Sequence, residues 1–502
     1  MTVYNINLGI GWASSGVEYA QAYRADILRK LHIPAKFIFT DMFQNENIQH
    51  FTKNIGFQDD EVIWLYTFFT DLHISETTYS IETLEETFSE KVVKKERNGS
   101  IIRYYFESNN YYLNVFFKDV DKGIVQRVEY VCDGQLIQKD YFSYTKMFSE
   151  YYTPKDGTPS LLSRTFFNED ASIAYEESCT GDNHLFYFPE DICYSKSELV
   201  ALMMKRLGLT ARDLVLLDRA TGIGQAVFEN CKPAKLGVVV HAEHYNQGST
   251  DDDYVLWNNY YDYQFTNAQY VDSFIVSTEA QKKVLEEQFH HYTSLAPRID
   301  VIPVGSLEEL RYPSEERRAF SVLTASRLAT EKHIDWLVKA VVKAHATLPE
   351  LHFDIYGEGG QRKLLSDLIE ENAAQAYIEL KGHQDLKTIY AQYQLYLTGS
   401  TSEGFGLTLM EAIGSGLPII GLDVPYGNQT FIDDEQNGYL IPKNFNDDSD
   451  YLSDLFAEKL IQYFKTMSIN NAIEHSYRKA HGFLEEVLEG KWKQLIKEVL
   501  ND

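Results

Sequence analysis

The chain has 502 residues, room for two to four domains at roughly 100–200 residues each, and its 44% apolar and 24% charged content lets it bury several cores. With 46 basic against 74 acidic residues the formal charge is −28, which excludes a nucleic-acid binder, because counterion release needs clustered Lys and Arg. A small anionic ligand would have to be met locally, by helix N-termini and a few placed cations.

The opening MTVYNINLGIGWASSG has neither the basic nor the apolar region of a signal peptide. No apolar run approaches the about 20 residues of a bilayer span. A soluble, cytoplasmic chain is expected, with peripheral membrane contact left open. Cys132, Cys179, Cys193 and Cys231 form no CxxC pair and read as reduced thiols.

In chain order, Val3–Leu8 reads as a strand, Gly9–Gly16 as a Gly/Ser loop, Val17–Lys30 as a helix and Lys36–Phe39 as a second strand. That is the start of a doubly wound domain. From about 60 to 195 the helical period gives way to aromatic and β-branched runs, Ile101–Phe106, Tyr111–Phe117, Ile124–Val131 and Gln135–Phe142. Turn signals separate them at Asn109-Asn110, Asp121-Lys122-Gly123 and Asp133-Gly134. Asp-Gly between alternating runs marks a tight hairpin. Two more strands are expected around Asn168-Glu169-Asp170 and another at His184–Phe188. The stretch reads as an antiparallel meander inserted into the first Rossmann-like domain.

The α/β pattern returns with helix Ser197–Leu207 and strands Leu214–Leu217, Gly237–Val240, Phe274–Val276 and Asp300–Pro303. Thr278 is placed to cap helix Glu279–Phe289. After a charged linker, a second unit alternates strands Phe320–Ala325, His352–Tyr356, Tyr377–Leu380, Leu395–Leu397 and Pro418–Gly421 with helices Trp336–Thr347, Gln361–Ala374, Asp385–Tyr393 and Leu407–Gly414. Such alternation predicts a parallel sheet. His475–Leu500 reads as one amphipathic helix.

Five strings carry chemistry. In Ser402-Glu403-Gly404-Phe405-Gly406-Leu407 and on to Glu411, two carboxylates stand eight positions apart, Glu403 in a strand-exit loop and Glu411 about two turns into the next helix. Glycines there let backbone approach a ligand, and the helix start offers amides. A loop carboxylate can accept from sugar hydroxyls and a helical one from a ribose diol. Solvent-facing glutamates on a capped helix are the plainer reading of either one alone. Arg327 and Lys332, in the loop after the second unit's first strand, can converge on a diphosphate; alone, each reads as a surface cation. Ser15-Gly16-Val17-Glu18-Tyr19 at a helix start is a candidate phosphate site, though without GxGxxG spacing. In His241-Ala242-Glu243-His244 a histidine can bond a sugar hydroxyl, or simply sit in the core, and a third metal ligand is lacking. Gly382-His383-Gln384 can offer backbone groups to a base. Asp251-Asp252-Asp253 reads as a solvated turn.

The Glu403–Glu411 spacing resembles the EX7E motif of retaining GT-B glycosyltransferases, and Arg327 with Lys332 resembles their diphosphate-binding pair. More closely, NINLGIGWASSGVEYAQAYR, VVVHAEHY, ASRLATEKHIDWLVKA and TSEGFGLTLMEAIGSGLP resemble the GtfA-type catalytic subunits of protein O-GlcNAc-transferases in accessory Sec systems. The resemblance implies an α/β, GT-B fold of two Rossmann-like domains facing a cleft, with an antiparallel β-sheet domain inserted in the first. Its boundaries would be 1–60 with 196–318, an insert at 61–195, a nucleotide-sugar domain at 319–474, and a helix at 475–502 packing back on the first domain. It implies a UDP-GlcNAc donor, Ser/Thr hydroxyls of a serine-rich repeat adhesin as acceptor, and a non-catalytic GtfB-like partner contacted by the inserted sheet.

Carried over, Glu403, Arg327, Lys332 and His241 would be catalytic. Gly16, Val17, Glu18, Tyr19, Arg327, Lys332, His383, Gln384 and Glu411 would bind UDP. His241, Glu403, Gly404, Phe405 and Gly406 would bind the sugar. No metal and no cofactor is expected. UDP-glucose as donor, a lipid or polysaccharide acceptor, and a non-catalytic subunit on the same fold are the competing readings.

Overall fold

Val3–Asn7 sits at the centre of a parallel ladder, paired with Ala35–Phe39 on one side and Leu214–Leu217 on the other. Val62–Trp64 extends the first side and the start of Lys235–Val240 the second. The ladder thus grows outward in both directions from its first strand, the doubly wound plan. Leu214–Leu217 is buried throughout, as expected of a strand covered on both faces. Val62–Trp64 lies past residue 60, where the sequence pattern changes, so one more parallel strand forms before the insert begins.

This computed structural model describes residues 1–11, 16–108, 110–155, 157–180, 184–444 and 448–501. They form two compact units, Met1–Val238 and Val239–Asp502, with the division inside strand Lys235–Val240.

The insert is a ten-stranded antiparallel sheet whose strands follow one another in sequence order from Val92–Asn98 to Ile192–Cys193. Its Asp133-Gly134 turn has φ of +48° and +74°, the conformation that predicted the hairpin. Asn109, half of another expected turn, lies outside the described residues. Strands Val92–Asn98 and Lys146–Lys155 were not anticipated; the first is exposed and lysine-rich, as befits an edge. Period-2 alternation buries one face. Tyr141, Phe148, Phe166 and Tyr175 stack in a column with centroids 4.4–5.5 Å apart. Trp64 meets Phe148 edge-on and Tyr66 stacks on Phe166, while the Tyr175 hydroxyl donates to the Tyr66 carbonyl at 2.7 Å. Aromatic packing therefore welds the insert to the chain leaving Val62–Trp64.

In the second unit, Ser273–Val276 pairs in parallel with Ile299–Val301. The Thr278 hydroxyl accepts from Gln281 N–H and caps helix Glu279–Tyr292, as expected. A separate six-stranded parallel sheet runs in spatial order Ile378–Gly382, His352–Tyr356, Ser321–Ala325, Leu395–Thr398, Ile419–Leu422, Gly438–Ile441.

Two expectations fail here. Asp385–Tyr393 is no helix; its only helical element is the 3-10 turn Tyr390–Gln392. Buried Tyr390 and Tyr393 stand three apart, which suits three residues per turn, and one turn cannot repay α-helix nucleation. The single helix His475–Leu500 is instead Ile469–Ala480, a 3-10 turn His481–Phe483 and Glu485–Asn501. The break lets Phe483 C=O and Glu485 N–H pair with Leu307 at 2.9 and 3.0 Å. The final helix then lies against Ile299–Val301. Arg298 meets Glu498 at 2.5 Å and Lys491 donates to the Val301 carbonyl at 3.1 Å.

Candidate active site

Strand order in the six-stranded sheet reverses between Ser321–Ala325 and Leu395–Thr398, and ligands of such sheets bind outside the carboxyl ends at that point. The loop after the first strand carries Arg327 and Lys332; the loop after the second carries Glu403. They touch. A Cβ on Gly399 would fall 2.7 Å from the His333 carbonyl oxygen, so only glycine permits the approach. Lys332 Nζ reaches Glu403 Oε2 at 2.7 Å, each side chain 19% exposed. Arg327 stands apart, its side chain 78% exposed and its partner the nearby Glu331 at 3.3 Å.

The Glu403 turn is held by backbone. Its carbonyl accepts from Tyr426 and Gly427 N–H at 2.8 and 2.7 Å, and its own N–H reaches the Pro425 carbonyl at 3.3 Å. A Cβ on Gly404 would lie 2.7 Å from the His241 carbonyl oxygen, so the turn presses directly on the exit of strand Lys235–Val240. Gly406, at φ +90°, starts helix Leu407–Gly414. The Phe405 ring is buried against Phe431 and Phe483, and its carbonyl packs on Gly427, where a Cβ would fall 2.1 Å from the oxygen. One turn into that helix, burial pushes the Glu411 carboxyl above the usual carboxylate range, and the Tyr390 hydroxyl donates to it at 3.1 Å.

The two histidines of His241-Ala242-Glu243-His244 have different fates. Tyr261 OH accepts from the His241 and Ala242 N–H groups at 2.9 and 3.1 Å, fixing His241 beside Gly404. His244 belongs to the core. Its Nε2 meets Gln288 Oε1 at 2.7 Å, its Nδ1 meets the Tyr426 hydroxyl at 3.1 Å, and its ring stacks on Tyr426. Burial pushes its pKa down to about 4, so the imidazole is neutral. Among the described residues, the group of carboxylate, thiol and imidazole close enough to share an ion is Glu177, Cys179 and His184, far along the chain in the insert.

His383 and Gln384 are exposed at the end of Ile378–Gly382, two strands from Ser321–Ala325 on the same sheet edge. The strand between them ends in a loop that the sequence reading missed, Gly357-Glu358-Gly359-Gly360. Cβ atoms on Gly357 and Gly359 would meet the Ser326 and Leu328 carbonyl oxygens at 1.9 and 2.5 Å, so this loop lies flat on the Arg327 loop. Paired glycines after a strand were the available signal.

The Gly16–Tyr19 segment belongs to the other unit, with Ser15 outside the described residues. Gly16 and Tyr19 are exposed at the start of helix Gly16–Lys30, and Val17 is half-buried. Glu18 is turned inward, accepting from Asn7 and paired with Arg219 at 3.1 Å. Deeper in that helix Arg24 forks onto Asp218 at 2.8 and 2.9 Å.

Behind the Glu403 turn lies a hollow of about 980 Å³, with Thr401, Ser402 and Pro425 on one wall and Glu243, Tyr245 and Trp257 on the other. Burial raises the Glu243 carboxyl, and Ser402 Oγ donates to it at 3.4 Å. Neither the hollow nor Glu243 was anticipated. No helix among the described residues is long and apolar enough to cross a membrane.

Residues 94–190 match the family model "GtfA extended beta-sheet domain", and residues 309–469 match "Glycosyl transferases group 1". The chain is 58% identical, over 100% of its length and 99% of the relative's, to the UDP-N-acetylglucosamine–peptide N-acetylglucosaminyltransferase GtfA subunit of Streptococcus agalactiae. Among solved structures it resembles the pneumococcal O-GlcNAc transferase GtfA in complex with UDP and GlcNAc, with a TM-score of 0.93 at 54% identity, covering 100% of this chain and 99% of that one. It also resembles a chain of a GtfA/B complex, with a TM-score of 0.97 at 55% identity over 100% of both.

Proposed function

Since the chain belongs to the family of GtfA subunits of UDP-N-acetylglucosamine–peptide N-acetylglucosaminyltransferases and has their GT-B fold, we propose that it transfers GlcNAc from UDP-GlcNAc to Ser and Thr hydroxyls of a serine-rich repeat adhesin. It works in the cytoplasm before export of that acceptor, as the catalytic subunit of a complex with a GtfB-type partner. The observation that carries the reading is the Lys332–Glu403 contact at the strand-order reversal, a cation and a carboxylate set where a diphosphate and its sugar would meet.

In the reaction the bond from sugar C1 to the β-phosphate oxygen breaks and its electron pair stays on UDP. A bond from C1 to the acceptor oxygen forms on the same face, and the hydroxyl proton passes to the departing phosphate oxygen. Lys332, helix amides and Arg327, once its exposed side chain swings from Glu331, offset the charge that develops on UDP. Glu403 and the Gly404–Gly406 backbone hold the sugar with His241, and Glu411 receives the ribose diol. These groups supply the stabilisation without a metal.

Mass spectrometry of a Ser/Thr-rich peptide incubated with UDP-GlcNAc and the purified two-subunit complex tests this. Added N-acetylhexosamine, insensitive to EDTA, is expected. A peptide left unmodified by the complex would overturn the assignment, and loss of transfer in EDTA would overturn the metal-free mechanism.

A further inference from the structure

The hollow behind the Glu403 turn takes no part in the donor chemistry above, yet it shares a wall with it. Ser402 lines it next to Glu403, and Pro425, whose carbonyl accepts the Glu403 N–H, lines it too. At about 980 Å³ it is at the upper end of ordinary ligand pockets, which run to about 1,000 Å³.

Its lining has a definite chemistry. Asn246, Gln247, Asn258, Asn259 and Gln429 bring five side-chain amides, each both donor and acceptor. Glu243 and Asp423 bring two carboxylates against one ammonium, Lys443, so the lining is net negative. Such a surface complements peptide bonds and hydroxyls and repels a phosphate polymer. Trp257 offers a fixed ring, propped on Phe265 at 4.8 Å and Phe289 at 5.9 Å. Glu243 is fixed as well, since Asn258 donates to its carbonyl at 3.2 Å and Ser402 to its carboxylate.

We propose that this hollow is the subsite for the acceptor chain, holding an extended, uncharged, amide- and hydroxyl-rich polypeptide segment that flanks the residue to be modified. Glu243 is its positioning residue, accepting a hydrogen bond from a backbone N–H or side-chain hydroxyl of that segment. The inference rests on the transferase reading and adds where the acceptor lies. A segment disordered when free loses conformational freedom on binding, so contacts away from the reacting hydroxyl are needed to hold it.

The test uses the two-subunit complex, a long Ser/Thr-rich peptide and a tripeptide. Fluorescence anisotropy of the labelled long peptide reads the subsite whether or not sugar moves, and the transfer assay separately reads the reaction. Glu243→Ala is expected to weaken binding of the long peptide and raise its KM about tenfold, the worth of one charge-assisted hydrogen bond. kcat at saturation and tripeptide transfer stay within twofold, and Glu243→Gln, which keeps an acceptor oxygen, recovers most of the loss. Asn259→Arg, which fills the hollow without touching Glu243, gives the same split. A polyol-phosphate polymer does not compete with the long peptide.

Unchanged anisotropy in both Glu243→Ala and Asn259→Arg overturns the subsite, as does equal loss for the long peptide and the tripeptide, or competition by the phosphate polymer. Peptide binding that depends on Glu243 without any sugar transfer by the wild-type complex would overturn the transferase reading and leave the subsite standing.

Discussion

Lys332 and Glu403 are 71 positions apart and yet form a 2.7 Å contact that is mostly shielded from water. Glu403→Gln keeps the shape and removes the charge that we propose faces the sugar. Turnover at saturating UDP-GlcNAc should fall about 10²–10³-fold, the scale of losing one preorganised polar group, and steady-state assays will show it. Full turnover would remove Glu403 from the mechanism. His244 makes a different prediction, in stability. Its imidazole is neutral in the fold, with a pKa of about 4, while the unfolded chain protonates near about 6.5. The unfolded state therefore gains a proton that the folded state refuses as pH drops. This stabilisation is complete above about pH 6.5, is lost as pH falls toward about 4, and amounts to about 3 kcal/mol. Denaturant unfolding at several pH values should show a shallower acid-side decline for His244→Gln; an identical slope would mean the imidazole titrates normally. In sequence His241 and His244 look alike. What separates them is Gln288 and Tyr426, 44 and 182 positions from His244, and no local pattern carries that information.

The turn between Leu395–Thr398 and Leu407–Gly414 is a backbone device as much as a carboxylate holder. Gly404→Ala would push a methyl to 2.7 Å from the His241 carbonyl oxygen, whose peptide the Tyr261 hydroxyl anchors through the Ala242 N–H. The turn must shift, with an expected cost of about 1–3 kcal/mol and a larger loss of turnover than of thermal midpoint. Unfolding and transfer measured on one preparation would check it, and an unaltered turnover would show that the contact is slack. Elements with strong local signals were legible. Strand–loop–helix alternation located most of the parallel strands but not Val62–Trp64 or Gly438–Ile441, and Asp133-Gly134 located its hairpin through the positive φ those residues tolerate. The failures share a cause. Tyr390 and Tyr393 are buried and the half-buried Phe483 packs on Phe431, all held by partners distant in sequence, and those contacts override helical periodicity at 385–393 and 481–483. Arg327 and Lys332 were correctly placed in one loop, but spacing alone could not say that only Lys332 would turn to Glu403.

At the scale of the whole molecule the ten-stranded insert hangs on an aromatic column at one end and leaves apolar side chains exposed at its last strands. Tyr187 and Ile192 are direct cross-strand neighbours, 42% and 50% exposed. We expect them to contact the partner subunit. The double change Tyr187→Lys and Ile192→Glu should abolish co-purification of the partner while UDP affinity stays within twofold, by pull-down and calorimetry; retained co-purification would place the interface elsewhere. The six-stranded sheet has a further consequence, for biosynthesis. The first three strands made, Ser321–Ala325, His352–Tyr356 and Ile378–Gly382, all lie on one side of the reversal point. A growing polypeptide therefore carries Lys332 while the inner edge of Ser321–Ala325 is still open, and Leu395–Thr398 must emerge and zip onto it before Glu403 can arrive. Chains cut short before Leu395 thus lack the Lys332–Glu403 contact altogether, and synthesis completes that pairing only once the fourth strand of this sheet has emerged.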